Sequence, residues 1–190
     1  MRLILASASP RRADLLREAG IDIEVHPADV DERVLAGEAP DAYVRRVAEA
    51  KARAISGRMP GRFVLAADTA VVVDDEILGK PASATDASRM LRLLSGRGHR
   101  VISGVSLMKD AASAADSRVE VTTVEFALLS QREIDWYVAS GESIDKAGGY
   151  GIQGLAARFV TRIDGSYSNV VGLPMAVVYQ MCTEAGLLLS

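Results

Sequence analysis

The sequence predicts an α/β protein in which helices pack on a mixed β-sheet. Strand-like segments rich in β-branched and apolar residues alternate along the chain with helix-like segments. The chain has 190 residues, 49% of them hydrophobic, which is enough to bury a sizeable core. A second independent domain would have too few residues, so we expect one domain over residues 1–190.

The first half of the chain is predicted to begin with a short buried strand at residues 2–6. A helix follows and ends near Gly20, with Ser9 as a candidate N-cap and Pro10 suited to its first position. The next elements are a strand at 21–25, an acidic loop at 29–32, a helix at about 41–56, strands at 63–67 and 70–73, and a turn at 74–76 that leads into a strand at 77–78.

The second half is predicted to contain a helix at about 86–94 and two long strands at 100–108 and 119–128, with a surface loop at 110–117 between them. Ser130 and Glu133 form a capping-box pattern, which indicates a helix ending at Gly141. A glycine-rich loop at 148–154 precedes a strand at 157–163, and the last helix runs from near Pro174 to Gly186.

Composition argues against a membrane or a nucleic-acid partner. No apolar run approaches the roughly 18 residues of a transmembrane helix, and the apolar N-terminal stretch is too short for a signal peptide. The net charge is −3, whereas nonspecific nucleic-acid binding requires a basic face. The one cysteine, Cys182, has no partner for an internal disulfide and is expected to be buried in the last helix. We therefore expect a cytoplasmic protein.

Lysine is rare in this chain, since 18 of its 22 basic residues are arginine and the four lysines are Lys51, Lys80, Lys109 and Lys146. An ammonium and a guanidinium are not interchangeable at tight sites, so each lysine is worth inspection. Lys51 continues the apolar stripe of the second helix, and its ammonium either meets a buried counter-charge or reaches water from the edge of the stripe. Lys80 lies in a turn after a strand, where a ligand contact and a solvated lysine are both compatible with the pattern.

Two further features point to a site for a charged ligand. Asp68 interrupts the otherwise apolar run 63–73, and a buried carboxylate needs partners or a metal ion to stay charged; the alternative is a bend at Asp68 and Thr69 between two strands. The motif Ser7-x-Ser9-Pro10-Arg11-Arg12 places hydroxyls, a helix N-terminus and two guanidiniums together. This combination suits a phosphate, and a capped helix with two surface arginines gives the same pattern.

Other motifs are disfavoured. Residues 149–154 match G-x-G-x-x-G, but no clear strand precedes them and no helix is predicted after them, which argues against a dinucleotide site. The sequence contains neither a P-loop nor a G-x-S-x-G motif. His26 and His99 lack ligand-like spacing and are predicted to be structural, and the acids at 74–76 are predicted to be solvated rather than metal-binding.

Eight motifs, in order along nearly the whole chain, resemble those of the Maf-like nucleotide pyrophosphatases. Each is weak alone, whereas eight in the family's order are specific. The motifs are Ser7-x-Ser9-Pro10-Arg11-Arg12, Asp31-Glu32, Ala48-x-x-Lys51-Ala52, Ala67-Asp68-Thr69, Gly79-Lys80-Pro81, Leu94-Ser95-Gly96-Arg97, the run 145–154, and Ser168-Asn169-Val170-x-Gly172-Leu173-Pro174. Ser103 stands where the family more often has threonine.

The resemblance implies an elongated α/β domain around a long mixed sheet, similar to the inosine-triphosphatase fold, and a homodimer in many members. It also implies a hydrolase that converts a nucleoside triphosphate to the monophosphate and pyrophosphate, with Asp68 as the proton acceptor. Glu32, Lys51 and Lys80 match other active-site residues, and Asp68 with Glu32 would hold Mg²⁺ or Mn²⁺. The expected substrate-binding residues are Ser7, Ser9, Arg11, Arg12, Thr69, Lys146 and Gln153.

Arg11, Thr69 and Gln153 resemble the branch of the family that favours dTTP and UTP. The Gln153 amide suits a pyrimidine edge because it both donates and accepts hydrogen bonds. Two alternatives stay open at this point: a non-catalytic, nucleotide-binding regulator of septum formation, and a phosphotransferase that uses the same pocket. The absence of a P-loop disfavours the second.

Overall fold

The structure is a computed structural model, and it describes residues 2–187. Its seven strands form a mixed sheet in the order β2-β1-β3-β5-β6-β7, with β4 paired to β3. In chain order the elements are β1 (Leu3–Leu5), α1 (Pro10–Glu18), β2 (Ile23–Val25), α2 (Pro40–Ser56), β3 (Val64–Val73), β4 (Glu76–Leu78), α3 (Ala84–Leu94), β5 (Gly98–Met108), β6 (Asp116–Phe126), α4 (Gln131–Ala139), β7 (Val160–Asp164), α5 (Tyr167–Val171) and α6 (Met175–Glu184).

The sheet contains both strand orientations. Strand β1 pairs in parallel with β2 and β3, whereas β3–β4 and β6–β7 are antiparallel. This confirms the predicted α/β fold class with a mixed sheet. None of the helices within residues 2–187 is both long enough and apolar enough to cross a membrane.

The chain divides into two compact units. The first consists of residues 2–69, 103–120 and 172–187, and the second of residues 70–102 and 121–171. The expected single domain over residues 1–190 stays a prediction.

In the first unit, the residues of β1 and β3 alternate between two apolar clusters. Successive strand residues point to opposite faces of a sheet. Accordingly, Leu5 and Leu65 join a cluster with residues of α1 and α6, whereas Ile4 and Val64 join a cluster with residues of α2. Cys182 is fully buried in the first of these clusters, as predicted, and burial raises the pKa of its thiol to about 11.

Helix α2 approaches the sheet very closely at Gly104. A Cβ atom at this position would overlap the main chain of Val44 and Arg45, so a residue with a side chain does not fit there. The helix begins at Pro40, which suits a first helical turn, with Asp41 following. The close packing fixes α2 against β5 within this unit.

The second unit is built around an aromatic and aliphatic core that includes residues of α3 and α4. The rings of Phe126 and Tyr150 lie 4.7 Å apart between centroids, and those of Tyr137 and Phe159 lie 5.5 Å apart. His99 is buried in the same core, and its Nε2 lies 2.7 Å from the hydroxyl oxygen of Tyr150. Burial lowers the pKa of His99 to about 4, which agrees with the predicted structural role.

The turn between β3 and β4 carries the three acids at 74–76. Asp74 and Asp75 have φ angles of 47° and 64°, the left-handed backbone of a two-residue hairpin turn. Each acid pairs with an arginine of the same unit, in the pairs Asp74–Arg97, Asp75–Arg100 and Glu76–Arg89. Residues 2–187 contain no group of three or more His, Cys, Asp or Glu side chains placed to hold a metal ion.

Several predicted boundaries were wrong. The segments 63–67 and 70–73 form one continuous strand, so Asp68 and Thr69 do not form a bend. Strand β6 begins at Asp116, inside the predicted loop 110–117, and lies between β5 and β7 in the sheet. Residues 155–159 form a 3₁₀ helix before β7 instead of the first half of a strand, and the short helix α5 was not predicted.

Candidate active site

Lys51 is buried in the first unit and contacts two carboxylates. Its Nζ donates to Asp68 Oδ1 at 2.8 Å and forms an ion pair with Glu32 Oε1 at 2.9 Å. The side chains of Lys51 and Asp68 are each 8% exposed, whereas that of Glu32 is 46% exposed. Of the two alternatives for Lys51, the buried counter-charge is therefore correct and the lysine extending to water is wrong.

The periodicities of α2 and β3 bring these groups together. Lys51 follows Val47 by four residues on the buried stripe of α2. Asp68 follows Val64 and Ala66 at the two-residue spacing of β3, and those two residues belong to the apolar cluster that contains α2 residues. Glu32 comes from the exposed loop that precedes α2, so the cluster extends from the interior to solvent.

This cluster carries two carboxylates and one ammonium, so it favours a further cation. Carboxylate oxygens are suitable ligands for Mg²⁺ or Mn²⁺, and each of these carboxylates has a second oxygen besides the one that contacts Lys51. Mg²⁺ is commonly held by one or two carboxylates together with waters and substrate phosphates. Asp68 and Glu32 therefore fit a divalent cation that takes its other ligands from water and a phosphate group.

Arg12 organises a second polar cluster in the same unit. Its Nε donates to the Gly172 carbonyl at 2.8 Å and its Nη1 to the Ala67 carbonyl at 2.8 Å, while Nη1 and Nη2 also reach the hydroxyls of Ser7 and Thr69. Burial lowers the pKa of Arg12. Arg12 thus donates four hydrogen bonds to other groups of the protein, which leaves few N–H donors for a ligand.

Two adjacent residues of β3, Asp68 and Thr69, belong to the carboxylate–lysine cluster and to the Arg12 cluster, respectively. Asp68 faces Lys51, whereas Thr69, on the opposite face of the strand, accepts from Arg12. The Thr69 hydroxyl also lies 2.8 Å from that of Ser103 and donates to the Gly172 carbonyl at 3.2 Å. One strand therefore couples the carboxylate cluster to the arginine cluster through the main chain.

The predicted N-cap at Ser9 is correct in position but not in detail. Ser9 precedes α1, but its side chain makes no capping bond. Instead, the Ser7 hydroxyl accepts from the Ser9 main-chain N–H at 3.2 Å and from Arg12. Ser9 and Arg11 are both half-buried at this end of the helix.

The remaining predicted residues belong to the second unit. Lys80 and Gln153 are exposed, and Lys80 lies two residues after the end of β4. Lys146 is held by its own segment, since its Nζ donates to the Glu142 carbonyl at 2.6 Å and to Asp145 Oδ1 at 2.7 Å. A Cβ at position 154 would meet the Glu142 carboxylate, so a side chain there would have to displace that carboxylate.

Tyr43 and Arg46 were not predicted as site residues. The Tyr43 hydroxyl donates to the Glu32 carbonyl at 3.0 Å, and burial together with the charges of Asp68 and Glu32 raises the Tyr43 pKa. The relevant signal was present in the sequence, because Tyr43 lies eight residues before Lys51 and so on the same face of the helix.

Comparisons with known proteins identify the fold and the family of the chain. The structure of a HAM1 protein from Coxiella burnetii is similar over 97% of this chain and 99% of that chain, with a TM-score of 0.57 and 18% identity, which shows a shared fold. The family model for Maf-like proteins matches residues 2–185. This chain belongs to the Maf-like protein family.

Curated relatives match nearly the full length of the chain. The dTTP/UTP pyrophosphatase of Anaeromyxobacter dehalogenans (strain 2CP-C) is 54% identical over 187 residues, which cover 97% of this chain and 94% of the relative. The dTTP/UTP pyrophosphatase of Koribacter versatilis (strain Ellin345) is 50% identical over 188 residues, which cover 99% and 96%.

Proposed function

We propose that this chain is a nucleoside triphosphate pyrophosphatase that hydrolyses dTTP and UTP to the nucleoside monophosphate and pyrophosphate. The observation that carries the proposal is the near-full-length similarity, at about half identity, to relatives named for this activity. The carboxylate–lysine cluster of the first unit supports it, because it places two carboxylates and a buried ammonium together.

Asp68 is the proposed general base. It accepts a proton from a water molecule whose oxygen attacks the α-phosphorus, and the bond from that phosphorus to the α–β bridging oxygen breaks, so that pyrophosphate leaves. The Lys51 ammonium donates to Asp68 Oδ1 at 2.8 Å and holds this carboxylate in position. Burial of Lys51 and Asp68 excludes bulk water and strengthens the attraction between their charges.

Asp68 and Glu32 are proposed to hold Mg²⁺ or Mn²⁺. A bound divalent cation would neutralise phosphate charge and orient the triphosphate. Glu32 suits this task because it is half exposed and accessible from solvent. Lys51 restrains both carboxylates in one place before the cation arrives.

Phosphate binding is proposed for Ser7, Ser9 and the N-terminus of α1, where main-chain N–H groups favour anions. Arg12 contributes by holding this end of the helix against β3. The family resemblance supports substrate contacts for four further residues, which are Arg11, Lys80, Lys146 and Gln153. It also supports a contribution of Thr69 to base selectivity.

Product analysis across a nucleotide panel tests the activity. We expect pyrophosphate release from dTTP and UTP with Mg²⁺ or Mn²⁺, and much less from GTP and 7-methyl-GTP. Release from 7-methyl-GTP alone would keep the chemistry but contradict the roles of Arg11, Thr69 and Gln153. Stoichiometric binding of UTP without any product would instead indicate a regulator without turnover, and a phosphorylated acceptor would indicate a phosphotransferase.

Hydrolysis in ¹⁸O-labelled water tests the point of attack. Attack at the α-phosphorus places one labelled oxygen in the monophosphate and none in pyrophosphate, as mass spectrometry of the products can measure. Label in the pyrophosphate would mean attack at the β-phosphorus and would overturn the proposed arrangement.

A homodimer and a cytoplasmic location are part of the proposal by resemblance. Light scattering on the purified chain measures the first, since a dimer has twice the 20.2 kDa mass of the chain.

A further inference from the structure

Glu32 lies in a segment that has no helix or strand of its own. The Glu32 loop, residues 26–39, joins β2 to α2, and its residues 31–37 are all exposed. Ordering such a segment costs conformational entropy. Nevertheless, the Glu32 carboxylate lies 2.9 Å from Lys51 Nζ, so other contacts must compensate for the cost of ordering the loop.

Helix α2 supplies two of those contacts through main-chain carbonyls of the loop. The Tyr43 hydroxyl donates to the Glu32 carbonyl at 3.0 Å, and Arg46 Nη2 donates to the Arg33 carbonyl at 2.9 Å. The two carbonyls are consecutive in the chain. The main chain is therefore fixed at Glu32 and at the residue that follows it.

Glu38 completes the arrangement at the far end of the loop. Arg46 donates to Glu38 through Nε at 2.6 Å and through Nη2 at 2.8 Å, a bidentate pair. Glu38 Oε2 also accepts from the Leu35 main-chain N–H at 3.0 Å. The Glu38 side chain is only 9% exposed, and Arg46 lowers its pKa to about 2, so the pair stays charged at neutral pH.

The same helix presents Lys51, which receives the Glu32 carboxylate. Tyr43, Val47 and Lys51 are spaced by four residues, so the Tyr43 ring and the Lys51 stem lie on the same face of α2. Arg46 adds its guanidinium 5.7 Å from the centre of the Tyr43 ring. One helix thus holds both the main chain and the side chain of Glu32.

We propose that Tyr43 and Arg46 are positioning residues, which hold the Glu32 loop so that Glu32 stays at the Lys51–Asp68 cluster for hydrolysis. This inference rests on the proposed function. Neither residue is assigned contact with the substrate. Their effect is to keep the Glu32 carboxylate in place between turnovers, when no ligand orders the loop.

The variants Tyr43→Phe and Arg46→Met test the proposal. Tyr43→Phe removes one hydroxyl, whereas Arg46→Met removes three hydrogen bonds and keeps an unbranched apolar stem. Arg45→Met is the matched control, because it removes the same charge from an exposed neighbour on the same helix. Thermal unfolding and circular dichroism establish that each variant is folded, and Tyr43→Phe keeps the test valid if Arg46→Met does not fold.

Trypsin reports on the loop without requiring activity. It cleaves after Arg33, an exposed residue whose carbonyl is the one held by Arg46. We expect cleavage between Arg33 and Val34 to be on the order of tenfold faster in Arg46→Met and a few-fold faster in Tyr43→Phe, with Arg45→Met like the wild type. Mass spectrometry of the fragment ending at Arg33 measures this bond specifically.

Steady-state kinetics provides the second readout. We expect kcat to fall on the order of tenfold in Arg46→Met and a few-fold in Tyr43→Phe, while the KM for UTP changes much less. Unchanged cleavage after Arg33, or unchanged kcat in a folded variant, would overturn the positioning role. A wild-type protein that releases no pyrophosphate would overturn the proposed function instead, and this outcome is separate from the proteolysis result.

Discussion

Removing the Lys51 ammonium should destabilise the fold strongly. In Lys51→Met the stem remains, but the Asp68 carboxylate stays buried without its counter-charge. Breaking a buried ion pair by removing one partner typically costs about 3–5 kcal/mol. Both side chains of this pair are 8% exposed, so solvent screening reduces that cost little, whereas the half-exposed Glu32 contributes a smaller share.

Equilibrium unfolding in urea measures this loss. With a slope of about 3 kcal/mol per molar urea, the upper end of the usual range because the slope increases with chain length, the midpoint should fall by roughly 1–2 M. Lys109→Met is the matched control, because Lys109 is exposed and its ammonium lies 5.4 Å from the centre of the Phe63 ring. It should cost less than about 1 kcal/mol.

The double variant Lys51→Met/Asp68→Asn distinguishes the ion pair from other effects of the substitution. Asp68→Asn removes the buried charge, so the double variant should be more stable than Lys51→Met alone, with a coupling of at least about 1 kcal/mol. A loss in Lys51→Met below about 1 kcal/mol, or strict additivity in the cycle, would refute the reasoning that Lys51 is the counter-charge of Asp68.

Three other predictions concern the surrounding fold. Arg12→Lys keeps the charge but cannot make the four bonds of the guanidinium, so we expect a loss of about 2–4 kcal/mol in urea unfolding. Gly104→Ala should cost about 1–3 kcal/mol or more and lower the melting temperature, because the new methyl group overlaps the main chain of Val44. His99 has a folded-state pKa of about 4, below the value of about 6.5 in the unfolded chain, so the unfolded state binds the extra proton. Stability should therefore fall by up to roughly 3 kcal/mol as the pH decreases from 6.5 to 4, and His99→Gln should remove most of that dependence.

Much of the fold followed from periodicity. The interleaved strands, the stripe of α2 and the capping box at Ser130 and Glu133 are local patterns, and the structure has each of them. Boundaries were less predictable, because pairing with a neighbouring strand extends β6 through residues such as Asp116 that are poor strand formers alone. The continuous course of β3 through Asp68 depends on Lys51, a residue distant in sequence that makes a buried carboxylate tolerable.

The candidate site was predictable in its residue types but not in its contacts. Lys51 and Asp68 were anomalies in apolar surroundings, although a lysine reaching water and a bend at Asp68 were compatible with the same patterns. Glu32 was found only through the family resemblance, because an exposed acid in a loop has no distinguishing pattern. Arg12 was expected to neutralise phosphate charge, and only the structure reveals that its donors hold Ala67, Thr69 and other groups of the protein.

The rate of pyrophosphate release from UTP by Asp68→Asn, compared with the wild type, tests the central claim most directly. The substitution keeps an oxygen that can accept from Lys51 but removes the base. We expect folded Asp68→Asn to lose on the order of 10²–10⁴-fold in kcat, while still binding UTP. A folded variant that turns over UTP within a few-fold of the wild-type rate would contradict the assignment of Asp68 as the group that accepts the proton.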